Sequence, residues 1–149
     1  MLETTVPSPE LTRLVSFFEQ LSAADLARID QFYAPAAHFK DPFNQVQGPQ
    51  AIAAVFAHMF KTLHAPRFVV LSALEDHAAA GRALLTWDFH FHFAAGQAAQ
   101  CIHGATELRW DTQGRITWHR DYWDAAEELY EKLPVLGALM RWLKRRARA

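Results

Sequence analysis

Pro66 divides this chain into two stretches whose apolar residues recur with different periods, and that change limits the fold more than any other feature. Before it, Leu11, Leu14, Val15, Phe18 and Leu21, and later Ile52, Val55, Phe56, Met59, Phe60 and Leu63, fall at helical spacing. After it the alternation is twofold, which predicts strands near residues 67–75, 82–93, 98–110 and 115–124. The breaks at 78–81, 94–97 and 111–114 are short, so the strands should form an antiparallel meander. Helices first and a strongly curved sheet afterwards predict an α+β architecture, with helices over one sheet face.

The first half has its own punctuation. Ser8 before Pro9 suits a helix cap and first turn. Ser22-Ala23-Ala24-Asp25 predicts a second short helix through Leu26, Ile29 and Phe32, ended by Tyr33-Ala34-Pro35. His38–Asp41 reads as a brief strand stopped at Pro42, and a third helix runs from Gln50 to about Leu63.

With 149 residues, 51% apolar and 21% charged, the chain suits one water-soluble domain, residues 1–149, able to bury a core without disulfide or metal. Cys101 is the one cysteine of the sequence, so no intrachain disulfide can form, and it reads as a buried apolar side chain. The first residues lack a basic lead and an apolar core, and the longest apolar runs, 51–57 and 133–140, are far shorter than a bilayer span. A cytoplasmic protein is expected. The net charge of −1 conceals an asymmetry: residues 132–149 hold six cations and no acid, so the rest stands at −7. An acidic body argues against nucleic acid as a partner of the main surface. Leu136, Leu139, Met140, Trp142 and Leu143 recur at helical spacing among the cations, so residues 125–149 read as an amphipathic helical extension. Its helix can lie on the body, contact an anionic membrane or partner, or close over a pocket.

One strand admits two readings. Ala83, Leu85, Trp87, Phe89, Phe91 and Phe93 alternate with Leu84, Thr86, Asp88, His90 and His92. Either the polar set faces solvent, or the aromatic set packs on another sheet or subunit while Thr86, Asp88 and His90 look into a cavity under the helices.

The run Phe32-Tyr33-Ala34-Pro35-Ala36-Ala37-His38-Phe39-Lys40-Asp41-Pro42-Phe43, followed by Gly48 and Ala51-Ile52-Ala53-Ala54, resembles the front half of ketosteroid isomerases. Leu108 to Ile116 and Trp118-His119-Arg120-Asp121-Tyr122-Trp123-Asp124 are similar to the last hairpin of the nuclear transport factor 2 and SnoaL-like superfamily. The likeness spans about residues 9–124. It implies a cone-shaped curved sheet wrapped around helices, an internal pocket, and a homodimer through the outer sheet face. It also implies the second reading of residues 82–93, with Trp87, Phe89 and Phe91 turned toward a partner.

By that resemblance Asp41 stands where ketosteroid isomerases keep their proton-shuttling base. Their oxyanion donors are replaced by Phe17 and Thr106, and a supporting Tyr by Phe56, so the full isomerase mechanism is not expected. Against limonene epoxide hydrolase, Asp121 and Asp88 match the two carboxylates, but the bridging Arg, the Tyr and the Asn become Thr86, Phe39 and Asp41. The implied pocket gathers Asp41, Asp121, Asp88 and His119 as acid/base groups, with Thr86, His90, Thr106 and Trp123 beside them. Phe17, Phe56, Met59 and Phe60 supply apolar walls. Asp41 also suits a turn cap before Pro42, and Asp121 an ordinary partner for His119 or Arg120. His90 and His92, as H-x-H with Asp88 or Asp121, could face a zinc ion, but neither a metal nor a cofactor is expected. The expected function is binding of a small, partly apolar molecule, with isomerisation, cyclisation or hydration by acid/base chemistry. The alternative is a non-catalytic ligand-binding or protein-interaction module.

Overall fold

The computed structural model describes residues 6–128 and 134–147. Helix α1 (Pro9–Glu19) starts where the Ser8 Oγ accepts the Leu11 N–H at 3.2 Å, and it buries Leu11, Leu14, Phe17 and Phe18. The short helix expected next spans Ala23–Gln31 and winds as 3₁₀ turns with a kink at Arg28. The Asp25 carboxylate accepts from both the N–H and the Oγ of Ser22 and pairs with Arg28 at 2.8 Å. Those bonds hold the carboxyl down at about pKa 2, the Arg28 bond being the largest cause.

Tyr33 opens a strand instead of closing a helix. Strand β1 (Tyr33–Lys40) pairs with β2 (Gln45–Gln47), and α2 (Pro49–Thr62) follows. Then come β3 (His64–Glu75), β4 (Arg82–His92), β5 (Gln100–Trp110) and β6 (Ile116–Tyr122), the antiparallel meander expected from the short connections. The long-range addition is β1, which lies parallel to β6 and gives the order β2-β1-β6-β5-β4-β3. Its register shifts between Tyr33 and His38, so Pro35 falls where the β1–β6 ladder is interrupted.

The helices cover the face carrying the aromatic set of β4. Trp87, Phe89 and Phe91 are 5%, 8% and 4% exposed, which corrects the outward orientation expected for them. Thr86, Asp88 and His90 consequently stand on the outer face: Asp88 contacts the exposed His103, and Thr86 bonds Ser72 at 2.6 Å. The magnitudes explain the choice. Each aromatic side chain buries roughly 150–250 Å², about 4–6 kcal/mol at ~25 cal/mol/Å², whereas turning a carboxylate and two imidazole or hydroxyl groups inward would demand partners for each. Gly104 faces Trp87 across the β4–β5 ladder, and a Cβ there would overlap the indole ring.

Beyond the sheet lie α3 (Ala125–Glu128) and α4 (Pro134–Ala147). Lys144 of α4 reaches Glu127 at 3.8 Å. Val135, Leu139, Trp142 and Leu143 are all exposed, so the helix does not seat its apolar stripe on the body. Residues 129–133, 148 and 149 of the expected extension lie outside the described residues. Among the described residues no helix is long and apolar enough to cross a membrane.

Candidate functional site

A cavity of about 380 Å³ opens between α2 and the inner sheet face. Its walls are mostly apolar, with Phe39, Phe56, Met59, Trp87, Phe89 and Trp123 prominent among them, and the Asp121 carboxylate reaches in from β6. A recess of about 20 Å³, the size of one water, continues beside Asp121 toward Thr106 and His119.

A buried chain of hydrogen bonds fixes Asp121. The Trp87 Nε1–H donates to Thr106 Oγ1 at 2.7 Å, and the Thr106 hydroxyl donates to Asp121 Oδ1 at 2.5 Å. On the other side His119 Nε2 stands 2.8 Å from the same Oδ1, while His119 Nδ1 stands 2.8 Å from the Tyr33 hydroxyl. Register explains why these groups meet: Thr106 pairs directly with Asp121 across β5 and β6, and His119 lies two residues earlier on the same face. Tyr33 enters from β1 because that strand is parallel to β6.

The direction of each bond follows from Asp121, whose carboxylate can only accept: His119 Nε2 directs its proton at Oδ1, and Nδ1 accepts from the Tyr33 O–H. Burial, then the nearby charge of Asp121, pushes the Tyr33 phenol well above the ordinary tyrosine range, so it keeps the proton it donates. Phe18 and Phe39 pack around the imidazole, with ring centroids 5.4 and 4.7 Å away. Both network bonds to Asp121 fall on Oδ1, so Oδ2 can serve a ligand. A carboxylate so held can take a proton from a bound molecule or accept a hydrogen bond from it.

The other expected site residues divide into three groups. Asp41 lies just past β1 and lines the same cavity as Asp121, with Phe56, Met59 and Trp123. Its carboxylate also caps the following turn, accepting from Phe43 N at 2.8 Å, Asn44 N at 2.6 Å and the Asn44 amide at 3.1 Å. Phe17 stacks on Phe32 at 3.9 Å, behind Tyr33, and Phe60 packs against the core; neither is among the cavity walls. Thr86, Asp88 and His90 are on the far side of the sheet, for the packing reason given above. The H-x-H arrangement with Asp121 is thereby broken. His90 and His92 face outward while Asp121 faces inward, and His92 Nδ1 stands 2.8 Å from the Gln97 carbonyl oxygen.

Sequence reasoning missed Tyr33, Trp87, Phe68, Phe89 and Ile102. Trp87 and Phe89 needed only the opposite choice of face on β4, while Phe68 and Ile102 belong to the apolar alternation of β3 and β5, Ile102 on the same face as Thr106. Tyr33 carries no local signal, since its partner is 86 residues away.

A model of the SnoaL-like domain matches residues 14–119. No curated protein matches the sequence. Among solved structures, a hypothetical protein with a ketosteroid isomerase-like fold from Catenulispora acidiphila DSM 44928, in complex with trimethylamine, superposes with a TM-score of 0.67 at 16% identity, covering 84% of this chain and 92% of that one. A candidate SnoaL-like polyketide cyclase from Shewanella putrefaciens CN-32 gives 0.67 at 18%, covering 83% and 98%. An LEH-like epoxide hydrolase from Mycobacterium tuberculosis gives 0.66 at 19%, covering 91% and 96%. These similarities establish the fold.

Proposed function

The chain belongs to the SnoaL-like domain family, and we propose that it binds a small, largely apolar molecule in the cavity under α2 and acts on it by acid/base chemistry centred on Asp121. The observation that carries this reading is the buried Trp87–Thr106–Asp121–His119–Tyr33 network, which ends on a carboxylate inside an apolar cavity. Thr106 and the His119 Nε2–H stabilise the charge on Oδ1, so Oδ2 can remove a proton next to a ligand carbonyl and return it elsewhere. Isomerisation or cyclisation of an enolisable carbonyl compound fits best. The paired-carboxylate hydration implied by the epoxide hydrolase resemblance fits less well, because Asp88 is outside the cavity. Asp41, at the same cavity, is the second acid, although its turn bonds occupy much of its capacity.

A second reading, non-catalytic binding, is favoured by one observation. Phe17 supplies no hydrogen-bond donor, and the Thr106 hydroxyl is committed to Asp121, so these two positions offer nothing to a developing enolate. As for assembly, with Trp87, Phe89 and Phe91 turned inward, a homodimer through the outer face would rest on Leu74, Leu84 and Tyr122; sedimentation would measure it.

The test is proton exchange into a set of cyclic ketones and aromatic β-diketones in deuterated water, followed by NMR, after selecting those that raise the melting temperature. The wild type should exchange label, and Asp121→Asn should lose about 10²–10⁴-fold while still binding. Exchange unchanged in Asp121→Asn would remove Asp121 as the base. Binding without exchange would support the binding module instead, and no binding by any compound would count against both.

A further inference from the structure

The outer face of the sheet carries a separate cluster. On β4 and β5, Asp88 pairs directly with His103, and His90 with Cys101. The Asp88 carboxylate oxygen, the Cys101 sulfur and a His103 ring nitrogen all lie within 4.8 Å of one another. His103 is 69% exposed in its side chain and Asp88 20%, so the cluster is open to solvent and lies on the opposite face from Asp121 and the cavity.

We propose that Asp88, Cys101 and His103 bind a zinc-type divalent cation on the outer face of the sheet. The chemistry of the donors selects the ion. A thiolate, an imidazole and a carboxylate suit zinc or cobalt, whereas magnesium and calcium require oxygen donors throughout. The geometry is close. Around a tetrahedral zinc, bonds of about 2.0 to 2.3 Å place neighbouring donors about 3.3 to 3.7 Å apart. Side-chain rotation of about 1 Å therefore closes the set, while the two-stranded ladder holds the three Cα positions in place. Asp88 Oδ1 and His103 Nδ1 now stand 2.5 Å apart in a hydrogen bond, and the cation takes the place of that bond. Three protein ligands leave a fourth position for water or for His90, which stands opposite Cys101 on the same face. The carboxylate and thiolate together bring two negative charges, which outweigh the single cation of Arg67, the β3 residue opposite His90.

Cobalt(II) is the probe, added to the reduced full-length protein. One equivalent per chain should produce a thiolate-to-cobalt charge-transfer absorption together with visible bands of tetrahedral intensity, and zinc should bleach both. Cys101→Ser should abolish the charge-transfer band, and His103→Ala or Asp88→Asn should weaken binding by at least about tenfold, the least that losing even an outer-shell partner costs. Asp121→Asn, on the other face of the sheet, should bind as the wild type does. The proposal is overturned by the absence of a charge-transfer band in the wild type, by its survival in Cys101→Ser, or by unchanged affinity in both His103→Ala and Asp88→Asn. One cobalt per two chains would also overturn it, because the copies would then share the ion.

Discussion

Replacing Tyr33 with Phe removes one oxygen from the interior, and the surrounding geometry sets the cost of losing it. Tyr33 is fully buried and its hydroxyl serves His119 Nδ1 at 2.8 Å, with His119 itself 4% exposed. In Tyr33→Phe that nitrogen keeps its lone pair but loses its donor. The imidazole cannot escape by moving its proton to Nδ1, because Nε2 would then face the Asp121 carboxylate as acceptor against acceptor. The cost is thus that of an unsatisfied buried acceptor, about 1–3 kcal/mol. For a domain of this length, at about 2–4 °C per kcal/mol, the melting temperature should fall by roughly 2–12 °C. Nitrogen-15 NMR should show the His119 proton still on Nε2 and the Nδ1 resonance moved toward that of a free acceptor. Combining Tyr33→Phe with Asp121→Asn should give a non-additive change of about 0.5–3 kcal/mol, since both residues bond one imidazole. A melting temperature within about 1 °C of wild type, together with an unmoved Nδ1 resonance, would refute the hydrogen-bond directions assigned to the network.

Three other perturbations probe the packing, the buried phenol and the first helix. Gly104→Ala forces a methyl into the Trp87 ring and should cost about 1–3 kcal/mol, with loss of near-ultraviolet circular dichroism from the displaced indole; an unchanged spectrum and stability would show that the ladder yields easily. Because the folded state raises the Tyr33 pKa above its ordinary 10.0, the folded protein holds that proton more tightly, so stability is intact below pH 10 and declines as pH rises above it, by up to about 1.4 kcal/mol per pH unit. Denaturant titrations should show this alkaline decline in the wild type and a shallower one in Tyr33→Phe. Ser8→Ala deletes the α1 cap and should cost about 1 kcal/mol, read as a drop in the urea midpoint with an unchanged slope.

Periodicity and punctuation determined much of the fold by themselves. The twofold alternation after Pro66, the short breaks at 78–81 and 111–114, and the Ser8-Pro9 start are local properties, and the meander β3–β6 and α1 arise from them. The α+β layout and the family were legible for the same reason, with the order of motifs adding what each motif alone lacked. The second short helix and its Ser22–Asp25 capping box were legible as well, being local; its winding as 3₁₀ turns was not.

Only tertiary structure decided which face of β4 turns inward. Alternation states that two faces differ and is symmetric about which is buried; the sum of aromatic area against charge desolvation breaks the tie, and it does so only once helices supply an apolar lid. That single choice removed Thr86, Asp88 and His90 from the cavity and brought Trp87 into hydrogen-bond range of Thr106. The pairing of β1 with β6 likewise depends on a chain reversal longer than any sequence window, so the contact from Tyr33 to His119 could emerge only in three dimensions. Asp121 and His119 were readable as candidates from their residue types; the buried tyrosine that completes their hydrogen-bond network came only with the fold.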